Sequence, residues 1–214
     1  MSIVRTSAIA SVVAQLLIGV VTSIGFFVNV TEERDRENLN IVLAFEVSSQ
    51  AIEFVWYASV LLVSATITAR LRYLDWVFST PIMLISLGLF FHHRRADGSA
   101  VTSIFETFEI YACLVVNWIM LAFGYAMETG RIPRTVGLGG GGLALVGSFT
   151  FLAVLVPIDT VSHVLFWVTL GVWGLYGVAA ALDEVSKNVM YNAIDVVSKN
   201  GFGLFLFTYT LTRS

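Results

Sequence analysis

Residues 6–31 read TSAIASVVAQLLIGVVTSIGFFVNVT, and no charged side chain stands between Arg5 and Glu32. A helix needs about 20 predominantly apolar residues to cross the hydrocarbon core of a bilayer, and this run supplies them. The apolar core of a secretory signal is about 7–15 residues, so the run reads as a first spanning helix and not as a cleaved leader. Outward from it, the same absence of charge recurs from Thr135 to Ile158 and from Thr160 to Leu182. Two shorter clean runs, Trp76 to Phe91 and Ile110 to Met127, reach spanning length with a turn added at either side. Asn38 to Ala69 and Asn188 to Thr212 are apolar but carry ionisable residues. The whole chain is 57% hydrophobic and 13% charged, with mean hydropathy +0.84; a water-soluble domain carries roughly twice that share of charge. These runs predict an all-α, seven-transmembrane-helix bundle in the lipid bilayer, one domain over residues 1–214.

The expected helices run from about 6–30, 39–68, 71–92, 104–127, 135–156, 161–182 and 188–211. Polar or turn-forming segments join them: Thr31–Asn38, a short connection near Ala69–Leu71, His93–Ser99, Glu128–Arg134, Pro157–Asp159 and Asp183–Lys187. Pro133 is expected to stop the fourth helix, and Pro157 to separate the fifth from the sixth. The glycines Gly139–Gly142 favour close helix packing or a short unwound start to the fifth helix over a hinge. Basic residues in alternate connections do not orient the chain. With the N-terminus outside, Arg34, Arg36, Arg94, Arg95 and Arg213 fall on the cytoplasmic side, against Arg5, Arg70, Arg131, Arg134 and Lys187 opposite, and the two sets balance. Lone Cys113 excludes a disulfide framework and a cysteine metal cluster. A net charge of −3 without a basic stripe gives no reason to expect nucleic acid.

Charged groups inside a span cost several kcal/mol unless paired or hydrated, so they mark functional candidates. They fall on three helices. On the third, Asp75, Ser79 and Ser86 share a face, with Arg72 just before them; on the seventh, Asp195 and Lys199 stand one turn apart. On the second, Glu46, Gln50 and Glu53 repeat along one face. Lys199 sits mid-span, too deep to snorkel. Such a lysine can be neutral, paired with a carboxylate, or converted to an imine. A packing ion pair with Asp195 is the plain alternative.

The stretch Arg72-Tyr73-Leu74-Asp75-Trp76-Val77-Phe78-Ser79-Thr80-Pro81 resembles the helix C signature of microbial (type 1) rhodopsins. Asp195-Val196-Val197-Ser198-Lys199-Asn200 resembles their helix G signature, which contains the retinal lysine. Trp173-Gly174-Leu175-Tyr176 is similar to the helix F pocket element, and Ile119-Met120-Leu121-Ala122-Phe123-Gly124-Tyr125 to helix D of proteorhodopsins. The four matches stand in order on four helices. The resemblance implies all-trans retinal in a Schiff base on Lys199, with Asp75 and Asp195 as counter-ions and Arg72 beneath them. It also implies Trp76 and Trp173 against the polyene, and Thr80, Met120 and Tyr176 completing the walls; for each aromatic, ordinary core packing is the plain alternative. Gly177 stands where many members have proline, and Ala180 where a third tryptophan often occurs, so a looser ring end is expected. No enzyme activity is expected. Relatives commonly form homo-oligomers, and nothing in the chain fixes a number.

The mode of action turns on proton-handling groups. Outward proton pumps of this family carry a carboxylate three turns beyond the helix C counter-ion; here that position is Ser86, whose hydroxyl cannot donate a proton near neutral pH. Glu46 and Glu53 resemble glutamates at similar depths in channelrhodopsins, and Ser198-Lys199-Asn200 resembles their helix G. Ser11 completes an expected Ser11–Glu53–Asn200 gate for cations, with Glu53 beside Asn200 acting on permeation and not on colour. Glu46 and Glu53 read alternatively as protonated groups bonded between helices. The compact size resembles small viral rhodopsins. The expectation is a light-gated cation channel. Its alternatives are an outward light-driven proton pump in which Glu46 replaces the missing donor, and a photosensor signalling through a partner. No transducer helix is expected beyond Arg213.

Overall fold

The computed structural model describes residues 2–63, 67–95 and 100–214. Among them every regular element is helical. The order is α1 (Ile3–Ile24), a 3-10 turn (Gly25–Phe27), α2 (Glu33–Val63), α3 (Ala69–His93), a second 3-10 turn (Val101–Glu106), α4 (Phe108–Glu128), α5 (Arg134–Leu155) and α6 (Thr160–Ala180). A seventh rod follows as α7 (Glu184–Asp195), a π-helical turn (Val196–Asn200) and α8 (Gly201–Leu211), continuous because the junction residues keep right-handed helical backbone. The first six rods are long and apolar enough to cross a membrane. The seventh carries Lys187, Asp195 and Lys199 within its length.

Several ends differ from the sequence expectation, each for a local reason. The helix expected to run to about residue 30 leaves α-geometry at Ile24, where the 3-10 turn begins. Glu33 and Asp35 occupy the first turn of α2, where carboxylates suit the positive end of the helix dipole, so α2 begins inside the expected Thr31–Asn38 connection. Asp183 accepts from the amides of Val185 (3.0 Å) and Ser186 (3.1 Å), and this N-cap starts α7 inside the expected Asp183–Lys187 connection. The fourth helix stops before Pro133. Gly130, with φ 71°, ends α4, and Pro133 stands at the N-cap of α5. The connection expected at Ala69–Leu71 moves upstream, since α3 already starts at Ala69. Residues 64–66 of the expected second helix and 96–99 of the expected His93–Ser99 connection lie outside the described residues.

The rods pack in a closed ring, each against the next and α1 against α7 and α8, with α3 the most enclosed. The outer surface is apolar, as at Leu17, Leu143 and Trp167, because lipid tails solvate it. Glycine allows α4 and α5 to touch. A Cβ on Gly140 would lie 2.5 Å from the Phe123 ring, and one on Gly137 2.5 Å from Met127. Close packing therefore accounts for Gly140 in the glycine run, and α5 is helical through it without an unwound start. Pro81 lacks an N–H inside α3, which frees the Val77 carbonyl; the Trp118 indole of α4 donates to that oxygen at 3.0 Å. At the other end of α3, Arg94 pairs with Asp159, the N-cap of α6, at 2.9 Å. Burial raises the Asp159 carboxyl, but Arg94 and Ser162 outweigh it and hold the group down to about 2.

Candidate functional site

Where α3, α4, α5, α6 and the π turn converge they enclose a cavity of about 190 Å³. Trp76 and Thr80 of α3, Met120 of α4, and Trp173 and Tyr176 of α6 line it, with Lys199 at one end. All the residues expected as chromophore walls therefore meet in one space. Trp76 is held edge-on by Tyr73, Tyr176 and Tyr191, and Trp173 by Phe149. Gly141, Gly142, Gly174, Gly177 and Ala180 also line the cavity, and added Cβ atoms at Gly142, Gly174 and Gly177 would meet nothing within 4 Å. The lack of side-chain volume at Gly177 and Ala180 is thus part of the cavity wall. Asn117, which sequence reasoning missed, donates to Thr80 Oγ1 at 2.9 Å and ties α4 to this wall.

The π turn places Lys199, 1% exposed, with its nitrogen among carboxylates. Asp75 Oδ2 accepts from Lys199 Nζ at 2.9 Å. Glu53 Oε1 stands 3.2 Å from the same nitrogen, at ion-pair distance without hydrogen-bond alignment. Glu53, expected on a path apart from colour, is thus drawn to Lys199 because α2 packs against both α3 and the π turn. Asp195 is placed differently. Its Oδ2 takes Arg72 Nη1 at 3.0 Å and the Tyr57 hydroxyl at 2.7 Å, and its Oδ1 takes the Tyr176 hydroxyl at 2.6 Å. Arg72 is fully buried, also reaching Asn188 and Asn192 and lying over the Trp56, Tyr57 and Tyr191 rings.

A second group of polar side chains runs along α1, α2 and α3. Ser11 donates to the Asn192 carbonyl at 3.2 Å and accepts from Gln15 at 3.0 Å. Gln50 bridges Thr22 Oγ1 and the Lys199 carbonyl, each at 3.4 Å. Ser86 donates to the Val42 carbonyl at 3.2 Å, one turn before Glu46, which sets Glu46 beside Ser86. Ser79 lies buried between Asp75 and the Ser49 hydroxyl, which donates to its carbonyl at 3.3 Å. The expected Ser11–Glu53–Asn200 trio shares no hydrogen bond among the described residues, and neither amide atom of Asn200 finds a partner there. Tyr57, Asn188 and Asn192 also escaped the sequence reading. Tyr57 continues the Glu46–Gln50–Glu53 face, and Asn188 and Asn192 continue the Asp195 face, so extending each polar stripe by a turn or two finds them.

A closed ring of seven membrane rods with a buried lysine at the end of an aromatic cavity defines a rhodopsin-type membrane protein. A sequence profile described as bacteriorhodopsin-like protein matches residues 6–213, and the chain belongs to that family as an integral, multi-pass membrane protein. Among solved structures, viral rhodopsin OLPVRII is similar at TM-score 0.86 and 24% identity, covering 97% of each chain. Thermophilic rhodopsin from Rubrobacter xylanophilus is similar at TM-score 0.79 and 18% identity, covering 99% of this chain and 98% of the other. A blue light-absorbing proteorhodopsin from Med12 follows at TM-score 0.76 and 18% identity, with the same coverage of 99% and 98%. None of the curated proteins compared by sequence matches the chain.

Proposed function

We propose that the chain is a light-gated cation channel that carries all-trans retinal as a Schiff base on Lys199. When bound, retinal supplies the absorption of light and the change of shape that follows. The residues present fit it: a buried amine opens on a cavity with aromatic and glycine walls, which suits a rigid apolar polyene. Asp75 and Glu53 supply the negative charge that a buried cationic nitrogen needs.

The observation that carries the transport reading is a seam of buried polar atoms without protein partners among the described residues. Gln15 Oε1, Gln50 Oε1, both Glu46 oxygens and both Asn200 amide atoms find no hydrogen bond among the described residues. A buried polar atom left unpaired costs about 1–3 kcal/mol, so a row of them marks a route that water enters. The seam is closed at both ends. Arg72 and its tyrosines block one end. At the other, beyond Ser86, Phe90 packs against Phe202, Phe205 and Tyr209 with ring centroids 5.1–6.2 Å apart, and an apolar constriction of this kind gates by excluding water. Acidic Glu46 and Glu53 along the seam favour cations.

One observation favours the second reading, an outward proton pump. Glu46 lies beside Ser86, and so takes the place of the donor carboxylate that Ser86 lacks. Photocurrent against voltage under ion substitution separates the readings. A channel current reverses sign with the gradient. A one-signed current against the gradient, with proton return slowed in Glu46→Gln, means a pump. No current from a coloured protein means a sensor.

A further inference from the structure

We propose that Glu53, together with Asp75, is the charge partner of the Schiff-base nitrogen and sets its colour and proton affinity, the place expected of Asp195. The inference rests on the reading of Lys199 as the retinal lysine. Three observations carry it.

First, carboxylates from two different helices close on one nitrogen, Asp75 at 2.9 Å and Glu53 at 3.2 Å, and all three side chains are 2% exposed or less. At such separations, out of water, each charge acts on the nitrogen strongly. Second, Asp195 is already engaged: both its oxygens accept tyrosine hydroxyls, and one of them also takes Arg72. Third, neither oxygen of Glu53 has a hydrogen-bond partner among the described residues, and the cation at ion-pair distance from it is Lys199. A buried carboxylate with no other support depends on that nitrogen, and the nitrogen depends on it in return. Condensation of the lysine amine with the retinal aldehyde releases one water and leaves one N–H in the protonated linkage. That hydrogen can point to one of the two carboxylates, and the other stays within its field. Glu53 also lies on the polar seam, so one residue ties the colour of the chromophore to the path.

The test uses the full chain with retinal in lipid nanodiscs. Absorption spectra near neutral pH and alkaline titration of the visible band are compared among wild type, Glu53→Gln, Asp75→Asn, Asp195→Asn and the Glu53→Gln/Asp75→Asn pair. Loss of a negative charge beside the nitrogen destabilises the ground state, in which positive charge is concentrated there. Glu53→Gln should therefore shift the band to the red and lower the pH of bleaching by about 1–3 pH units, as Asp75→Asn should, and the double variant should shift further. Asp195→Asn should move both readouts less. If Glu53→Gln does not fold, Glu53→Asp and Glu53→Ala are read instead; Glu53→Asp should keep the wild-type titration and Glu53→Ala lose it. A Glu53→Gln pigment with wild-type band and titration, alongside an Asp195→Asn pigment shifted in both, overturns the assignment. Lys199→Ala separates the two claims: a visible pigment in that variant removes the retinal-lysine reading itself, whereas its loss leaves Glu53 to be judged on its own spectra.

Discussion

Replacing Arg72 by Met should destabilise the bundle, and replacing Asp195 as well should restore much of what is lost. The guanidinium donates to Asp195 at 3.0 Å, to the Tyr57 hydroxyl at 2.6 Å and to the Asn188 carbonyl at 3.3 Å, with both charged side chains 1% exposed. Removing the cation leaves the buried Asp195 carboxylate hydrogen-bonded, among the described residues, only to the Tyr57 and Tyr176 hydroxyls, and breaking a buried pair from one side costs about 3–5 kcal/mol. Asp195→Asn alone strands the guanidinium in the same way. In Arg72→Met/Asp195→Asn neither charge is stranded, so the combined loss should fall short of the sum by about 2–3 kcal/mol. Unfolding in sodium dodecyl sulfate, followed by far-ultraviolet circular dichroism on the retinal-free chain, measures all four corners of this cycle without reference to colour. Losses that add within about 0.5 kcal/mol would refute the reasoning, because the tyrosines alone would then solvate Asp195.

Gly203→Ala places a Cβ 2.1 Å from Gln50 Nε2 and 2.6 Å from Thr22 Oγ1. It should destabilise the protein by about 1–3 kcal/mol, and by less in a Gln50→Ala background; equal losses in both backgrounds would mean the contact is harmless. Asp159 is depressed to about 2, below its unfolded value near 3.9, so its contribution is present above about pH 4 and fades as pH falls toward 2. Asp159→Asn keeps the N-cap and loses the ion pair with Arg94, whose side chains are 21% and 23% exposed. It should therefore lower stability by about 1–2 kcal/mol at pH 6, and that difference from wild type should shrink at pH 2.5. A difference of the same size at both pH values would show that the charge contributes nothing.

The spans were legible because bilayer thickness and the cost of buried charge act on each stretch by itself, and runs such as Thr135 to Ile158 need no partner to be recognised. The ends were less so. The starts of α2 and α7 depended on Glu33 and Asp183 favouring helix inside segments that are polar enough to read as connections. The polar faces of α2, α3 and the seventh rod were also legible, since helical spacing alone puts Glu46, Gln50 and Glu53 on one side. Which face meets which is another matter. Asp195 precedes Lys199 by one helical turn in any drawing of the sequence, yet the packing of α2 and α3 hands Asp195 to Arg72 and the tyrosines and brings Glu53 to the lysine. Local periodicity determined which residues turn inward; the approach of helices far apart in the chain decided which of the inward charges pair, because a difference of an ångström or two between neighbouring helices selects the partner and no single helix contains that distance.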